Sequence, residues 1–235
     1  MVIIPARWNG PRGSGNGGWT CGRVAEEVRG APVEVTLRQP PPLETELTVT
    51  RGADGSVTVH APDGGLVAEG RRVEAIDVDL PAPVDLATAD LRDVAPGDAH
   101  PYPTCVSCGH QRMPGDGMRL FARLVEGRPD TPGLMAAPWT PPADVDERMV
   151  WTSLDCPGGW AVGYDSERDV WWSDGPALLG RMTAYVTDLP RVGDPHVVMA
   201  WPLGKDGRKR PSATALLDAS GRVLAVARAV WIVPG

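Results

Sequence analysis

The sequence predicts an α+β protein, an antiparallel sheet with two helices, on three observations. Two series of β-rich segments recur along the chain, each series follows one helical segment, and turn residues separate the strands at hairpin spacing. The 235 residues suffice for one large domain or two small ones, and 42% hydrophobic with 23% charged content is what a chain with a buried core carries. The 28 glycines and 25 prolines are spread among the strand segments, which signals many turns and not a disordered tract.

Residues 18–28 follow a glycine-rich loop and read as the first helix. The segments 33–37, 46–51, 56–60 and 66–73 then alternate apolar with polar or are β-branched, and Ala53-Asp54-Gly55 and Asp63-Gly64-Gly65 supply hairpin turns. A second helix is predicted over 145–160 after a proline-rich loop. Strands follow at 179–186, 196–202, 212–218 and 222–233, with turns at Asp206-Gly207 and Ala219-Ser220-Gly221.

The charge balance, 23 basic against 30 acidic residues for a net of −7, leaves no cationic surplus to neutralise a phosphate backbone, so nucleic acid is not the expected partner. No segment approaches the roughly 18 uninterrupted apolar residues of a membrane span, so no membrane partner is expected. The opening Met-Val-Ile-Ile-Pro-Ala-Arg-Trp has no basic region followed by an apolar one, and a cytoplasmic location is expected. In that compartment Cys21, Cys105, Cys108 and Cys156 do not form a disulfide framework and remain thiols or metal ligands.

The two series also match each other in order. Ile4-Pro5-Ala6-Arg7-Trp8 corresponds to Ala136-Ala137-Pro138-Trp139, Glu26 in the first helix to Asp155 in the second, residues 36–43 to 185–192, and residues 66–71 to 223–228. The spacing between partners changes twice, which puts one insertion near 164–174 and another in the turn 205–210. The expected organisation is a first repeat over 1–94, a Pro/Gly-rich linker with Cys-x-x-Cys over 95–117, and a second repeat over 118–235.

These features resemble the double hotdog family of acyl-CoA thioesterases. Asn16-Gly17-Gly18-Trp19 is similar to the superfamily's Gly-Gly helix start, the strand pair around Pro40-Pro41-Pro42 to the strand that follows its helix, and 66–73 and 223–233 to its closing strand. The resemblance implies a tandem double hotdog, an antiparallel sheet wrapped around two central helices, with an acyl-CoA or acyl-carrier thioester held where the repeats meet. It implies no cofactor, and homodimers of the tandem unit are common in the superfamily. A helix start offers unpaired amides and partial positive charge where the thioester oxygen turns anionic, and one such donor is worth roughly 10²–10³ in rate.

Asp155 is the candidate base or nucleophile, because its apolar flanks imply burial and a raised pKa; a carboxylate that only caps or hydrogen-bonds a neighbouring element would look the same. Gly17 and Gly18 are the candidate carbonyl-polarising amides and Thr152 or Ser153 the residue orienting water. Asn16, Trp19, Trp151, Trp160 and Arg181 are the candidate substrate contacts. Glu26, beside Glu27, reads as part of a solvated face. Two-copy members often carry an Asp-His pair on the strand where this chain has Gly180-Arg181-Met182-Thr183-Ala184, so that Asp is missing. A thioester-binding protein without hydrolysis is therefore the alternative.

Cys105-Val-Ser-Cys108-Gly-His110, with His100 upstream, matches a tetrahedral metal site in number, but all four ligands come from one short stretch. An ordered linker whose small thiols pack against the core is the simpler reading, and no metal is expected. Trp151, Trp160, Trp171 and Trp172 crowd the second helix and the insertion after it, as core or as walls of an acyl tunnel. Arg181, Arg191, Lys205, Arg208, Lys209 and Arg210 offer phosphate contacts or a solvated turn.

Overall fold

Alternation at every second residue fixes which side of each strand is buried, and those buried sides assemble the fold. The computed structural model describes residues 1–89 and 100–235, so the expected boundary at 94/95 lies outside the described residues. The strands are β1 (Val33–Leu37), β2 (Thr48–Arg51), β3 (Val57–His60), β4 (Leu66–Arg72), β5 (Arg123–Leu124), β6 (Met135–Trp139), β7 (Tyr164–Asp165), β8 (Val170–Trp171), β9 (Leu178–Val186), β10 (His196–Pro202), β11 (Lys209–Leu217) and β12 (Val223–Ile232). The helices are α1 (Gly17–Ala25), the single turn α2 (Leu86–Ala89) and α3 (Glu147–Gly163).

Ten strands form one sheet in the order β2-β3-β4-β1-β9-β12-β11-β10-β6-β5, with every pair antiparallel. Outward from the central β1–β9 pair the order reads β1-β4-β3-β2 on one side and β9-β12-β11-β10 on the other. Register follows the same rule, Leu37 opposite Ala68 and Val186 opposite Ala225. Val2 bridges Leu47 beside β2, as β6 pairs with β10. The turns expected at Gly55, Gly64, Gly207 and Gly221 all carry positive φ, which glycine adopts without steric cost.

The helices α1 and α3 pack on each other and over one face of the sheet, where Val35, Met182, Ala184, Ala225, Ala227 and Leu216 meet Trp19, Val24, Trp151 and Leu154 in one core. At the β10 end the opposite face is covered too, by Val84, Ala89, Val125 and Leu134 over Val197, Met199, Trp201, Ala213 and Ala215. Burial on both faces explains why β10 is an unbroken apolar run without alternation. Among the described residues no helix is long and apolar enough to cross a membrane.

Several boundaries differ from the sequence reading. The first helix starts at Gly17, because the Asn16 side chain caps it by accepting from the Trp19 amide at 2.8 Å, and it stops at Ala25. The second runs three residues past the expected end, through Pro157. The insertion near 164–174 folds as the separate hairpin β7–β8. The described part of the expected linker is packed into the molecule: Val106 N donates to Asn9 O, Leu120 N to Ser107 O, and Ser107 Oγ to Thr152 O on α3.

Candidate active site

The sheet order brings the start of α1 against the middle of α3, and glycine makes that approach possible. A Cβ on Gly18 would lie 2.5 Å from Asp155 Cβ and 2.6 Å from the Trp151 carbonyl oxygen, so no larger residue fits there. Gly22, one turn on, would put a Cβ 3.0 Å from Arg148 Cα and Trp151 Cβ. The crossing places Asp155 at the first turn of α1. Its Oδ2 accepts from Gly18 N and from Asn16 Nδ2, both at 2.9 Å, while its Oδ1 is buried with no hydrogen-bond partner. Burial pushes the Asp155 carboxyl up to about 7; the Gly18 and Asn16 hydrogen bonds pull it down, and the charge of nearby Cys105 raises it further.

Each amide of that first turn has an assignable partner except one. Gly18 N is taken by Asp155, Trp19 N by Asn16 Oδ1 and Thr20 N by Asn16 O, which leaves Gly17 N free. Asn16, Gly17 and Asp155 line one cavity of about 420 Å³ with Tyr102, Cys105 and Cys156. Its other walls include the apolar Leu37, Leu178, Leu179, Trp231 and Ile232, and Arg12, Arg38 and Gln39 line it as well, so a mostly apolar lining holds one carboxylate, one free amide and two guanidinium groups.

The structure brings together Asp155, Asn16, Gly17 and Gly18 as the sequence reading expected, and disperses the rest. Thr152 does not face the cavity: its hydroxyl donates to the Arg148 carbonyl one turn back at 2.7 Å, and Ser153 does the same to Val150. Trp19 stacks on Trp8 with ring centres 5.5 Å apart, and Trp151 is fully packed in the core. Trp160 belongs to a cluster with His100, Trp171 and Trp172. Arg181 lies on the sheet face away from the helices, where it reaches Thr36 Oγ1 at 3.1 Å and Glu34; its neighbour Met182 holds the inward position. Lys205 and Arg210 both pair with Asp174.

The expected alternative ligand set also changes. Cys105 and Cys108 are joined by Cys156, not by the histidines: His100 Nε2 bonds the Cys108 carbonyl at 2.9 Å and its Nδ1 accepts from Tyr102 N. Cys156, Tyr102 and the cavity tryptophan Trp231 were not marked by any spacing in the sequence. Only their separate registers on α3, the preceding loop and β12 bring them to the cavity.

At the opposite end of the helix pair the start of α3 is built differently. Asp146 caps it, Glu147 and Arg148 stand where α1 has glycines, and the Arg148 guanidinium lies over Trp19 and pairs with Glu26 at 3.3 Å.

No protein-family model and no curated protein matches this sequence. Solved structures do. A putative thioesterase from Novosphingobium aromaticivorans superposes with a TM-score of 0.61 over 100% of this chain and 94% of its own, at 14% identity. A conserved protein of unknown function with hot dog fold from Alicyclobacillus acidocaldarius gives a TM-score of 0.59 over 99% of this chain and 91% of its own, at 15% identity. The fold is the hotdog fold. An acyl-CoA thioesterase II, TesB2, from Mycobacterium marinum is similar over 92% of this chain and 90% of its own, with a TM-score of 0.60 at 12% identity. The likeness to these folds thus extends over nearly the whole chain.

Proposed function

We propose that this chain is a tandem double hotdog that hydrolyses an acyl-CoA or related acyl thioester in the cavity at the start of α1. The mirrored strand order about β1–β9 supports two repeats, 1–94 and 118–235, joined by 95–117. Thioesterases among the structural neighbours support the substrate class. The observation that carries the reading is Asp155: one carboxylate oxygen is anchored by Gly18 and Asn16, the other is buried and unpartnered, and the residue lines the same cavity as Gly17, whose amide is free.

In this reading the acyl chain occupies the surface made by Leu37, Leu179 and Ile232. The carbonyl oxygen accepts from Gly17 N, and Asp155 takes a proton from the attacking water as its oxygen bonds to the carbonyl carbon. Collapse of the tetrahedral adduct breaks the C–S bond, and the proton held by Asp155 passes to the leaving thiolate. The anchoring bonds to Oδ2 fix the carboxylate so that Oδ1 alone does this work.

A specific observation favours the second reading, thioester binding without hydrolysis. The β9 stretch lining the cavity, Leu178 to Gly180, carries no carboxylate. Thiol release from short, long and aromatic acyl-CoAs, measured for wild type and Asp155→Asn, decides. Turnover lost in the variant establishes the hydrolase; no turnover from wild type on any substrate, with ligand still raising Tm, establishes the binder.

A further inference from the structure

Three thiols meet at the cavity wall. Cys105 and Cys108 come from the loop after residue 100 and Cys156 from α3; Cys105 Sγ is 3.5 Å from Cys156 Sγ, and all three sulfurs lie within 4.8 Å of one another. In a tetrahedral thiolate site with Zn–S of about 2.3 Å, neighbouring sulfurs stand about 3.8 Å apart. An ion between these three would need little rearrangement.

The loop is shaped to hold its two sulfurs. Cys105 N donates to Tyr102 O and Gly109 N to Cys105 O, closing a tight turn, and a Cβ at Gly109 would lie 2.4 Å from Cys105 O. The His100 ring braces the turn from behind through the Cys108 carbonyl, the kind of outer support that fixes ligand orientation. Cys105 and Cys156 line the cavity, and Cys108 lies behind them.

We propose that Cys105, Cys108 and Cys156 bind one Zn²⁺ as three thiolates, with the fourth coordination position open to the cavity. A disulfide would use two of these sulfurs and leave the third converging on nothing, whereas a soft divalent ion uses all three and offsets their charge in an apolar wall. Loading releases the thiol protons to solvent, so binding weakens as pH falls. The ion ties the described loop to α3 one residue from Asp155. The site rests on the sulfur geometry alone and stands whether or not the chain hydrolyses thioesters.

The test uses the full chain, purified without a histidine tag from zinc-supplemented medium. Elemental analysis is expected to find one zinc per chain. Cobalt substitution is expected to give thiolate-to-metal charge transfer with the intense d–d absorption of tetrahedral Co²⁺. Titrating wild type with a mercurial is expected to release zinc in step with three blocked thiols, a measurement that needs no variant to fold. Cys156→Ser is expected to lower zinc content at least tenfold, and Cys21→Ser to leave it unchanged. Reduced protein that takes up no zinc, zinc that stays when the thiols are blocked, or a Cys105–Cys156 disulfide in the protein as purified would each overturn the proposal.

Discussion

In the proposed reaction Asp155 is the base, and replacing it with Asn keeps the shape and the Asn16 and Gly18 neighbours while removing that base, so the proposed hydrolysis should fall by roughly 10²–10⁴ with Tm little changed near neutral pH. Thiol-release kinetics beside thermal denaturation check both halves of that statement. The raised carboxyl also links to stability. In reduced, metal-free protein the folded state holds the Asp155 proton up to about 7, above the ordinary carboxylate range, so the stability this group contributes is full at acid pH and is lost as pH rises toward 7. The Tm of wild type relative to Asp155→Asn should therefore fall between pH 4 and 7 and level off above; a difference that grows with pH would contradict the assignment. Asp155 was legible in the sequence because a carboxylate amid Trp, Leu and Val on a helix has nowhere to go but inward. Thr152 was not, because a helical hydroxyl chooses between cavity and the preceding turn, and here it bonds the Arg148 carbonyl. Arg181 was misplaced because the resemblance supplied a position but not the strand parity that sends Met182 inward.

At the scale of elements, the α1–α3 crossing is the feature on which the site depends. Gly18→Ala forces a methyl within 2.5 Å of Asp155 Cβ and against the Trp151 carbonyl, and overpacking of this kind costs about 1–3 kcal/mol. It should also push α1 away and lengthen the Gly18–Asp155 bond, so Tm and turnover should fall together, and a variant that loses neither would place the helices elsewhere. Gly22→Ala, with contacts at 3.0 Å, should cost less. Eight strands and both long helices were readable because each holds a period over several residues or, in β10, a continuous apolar run bounded by turn residues. The two-residue strands β5, β7 and β8 hold none, and β6 follows a turn with a proline inside it, so tertiary pairing alone defines them.

In the sheet, the two halves of the molecule are joined by one pair of strands, beneath the α1–α3 packing. Val35 opposite Met182 sits at the β1–β9 junction, fully buried beneath the helices, and Met182→Ala should cost about 2–5 kcal/mol. Because the sheet is continuous across the junction, calorimetry should still find one transition with matching calorimetric and van't Hoff enthalpies; two separate peaks would mean that the halves fold independently. The two strand series were legible as matched segments in order, but the junction between them was not. Nothing in residues 33–37 or 178–186 alone says that they pair with each other and not with a second chain.

The contrast between the two helix starts also sets where the chain can vary. A saturation-mutagenesis map scored for function should be lopsided. Positions 16 to 18, which hold the Asp155 oxygen and offer the Gly17 amide, should tolerate almost nothing, while 147 and 148, where Arg148 already fills the equivalent space over Trp19, should accept many residues at the cost of a surface ion pair, and 146 any residue that can cap α3. One end of the helix pair is committed to the proposed site, and the other is free to drift.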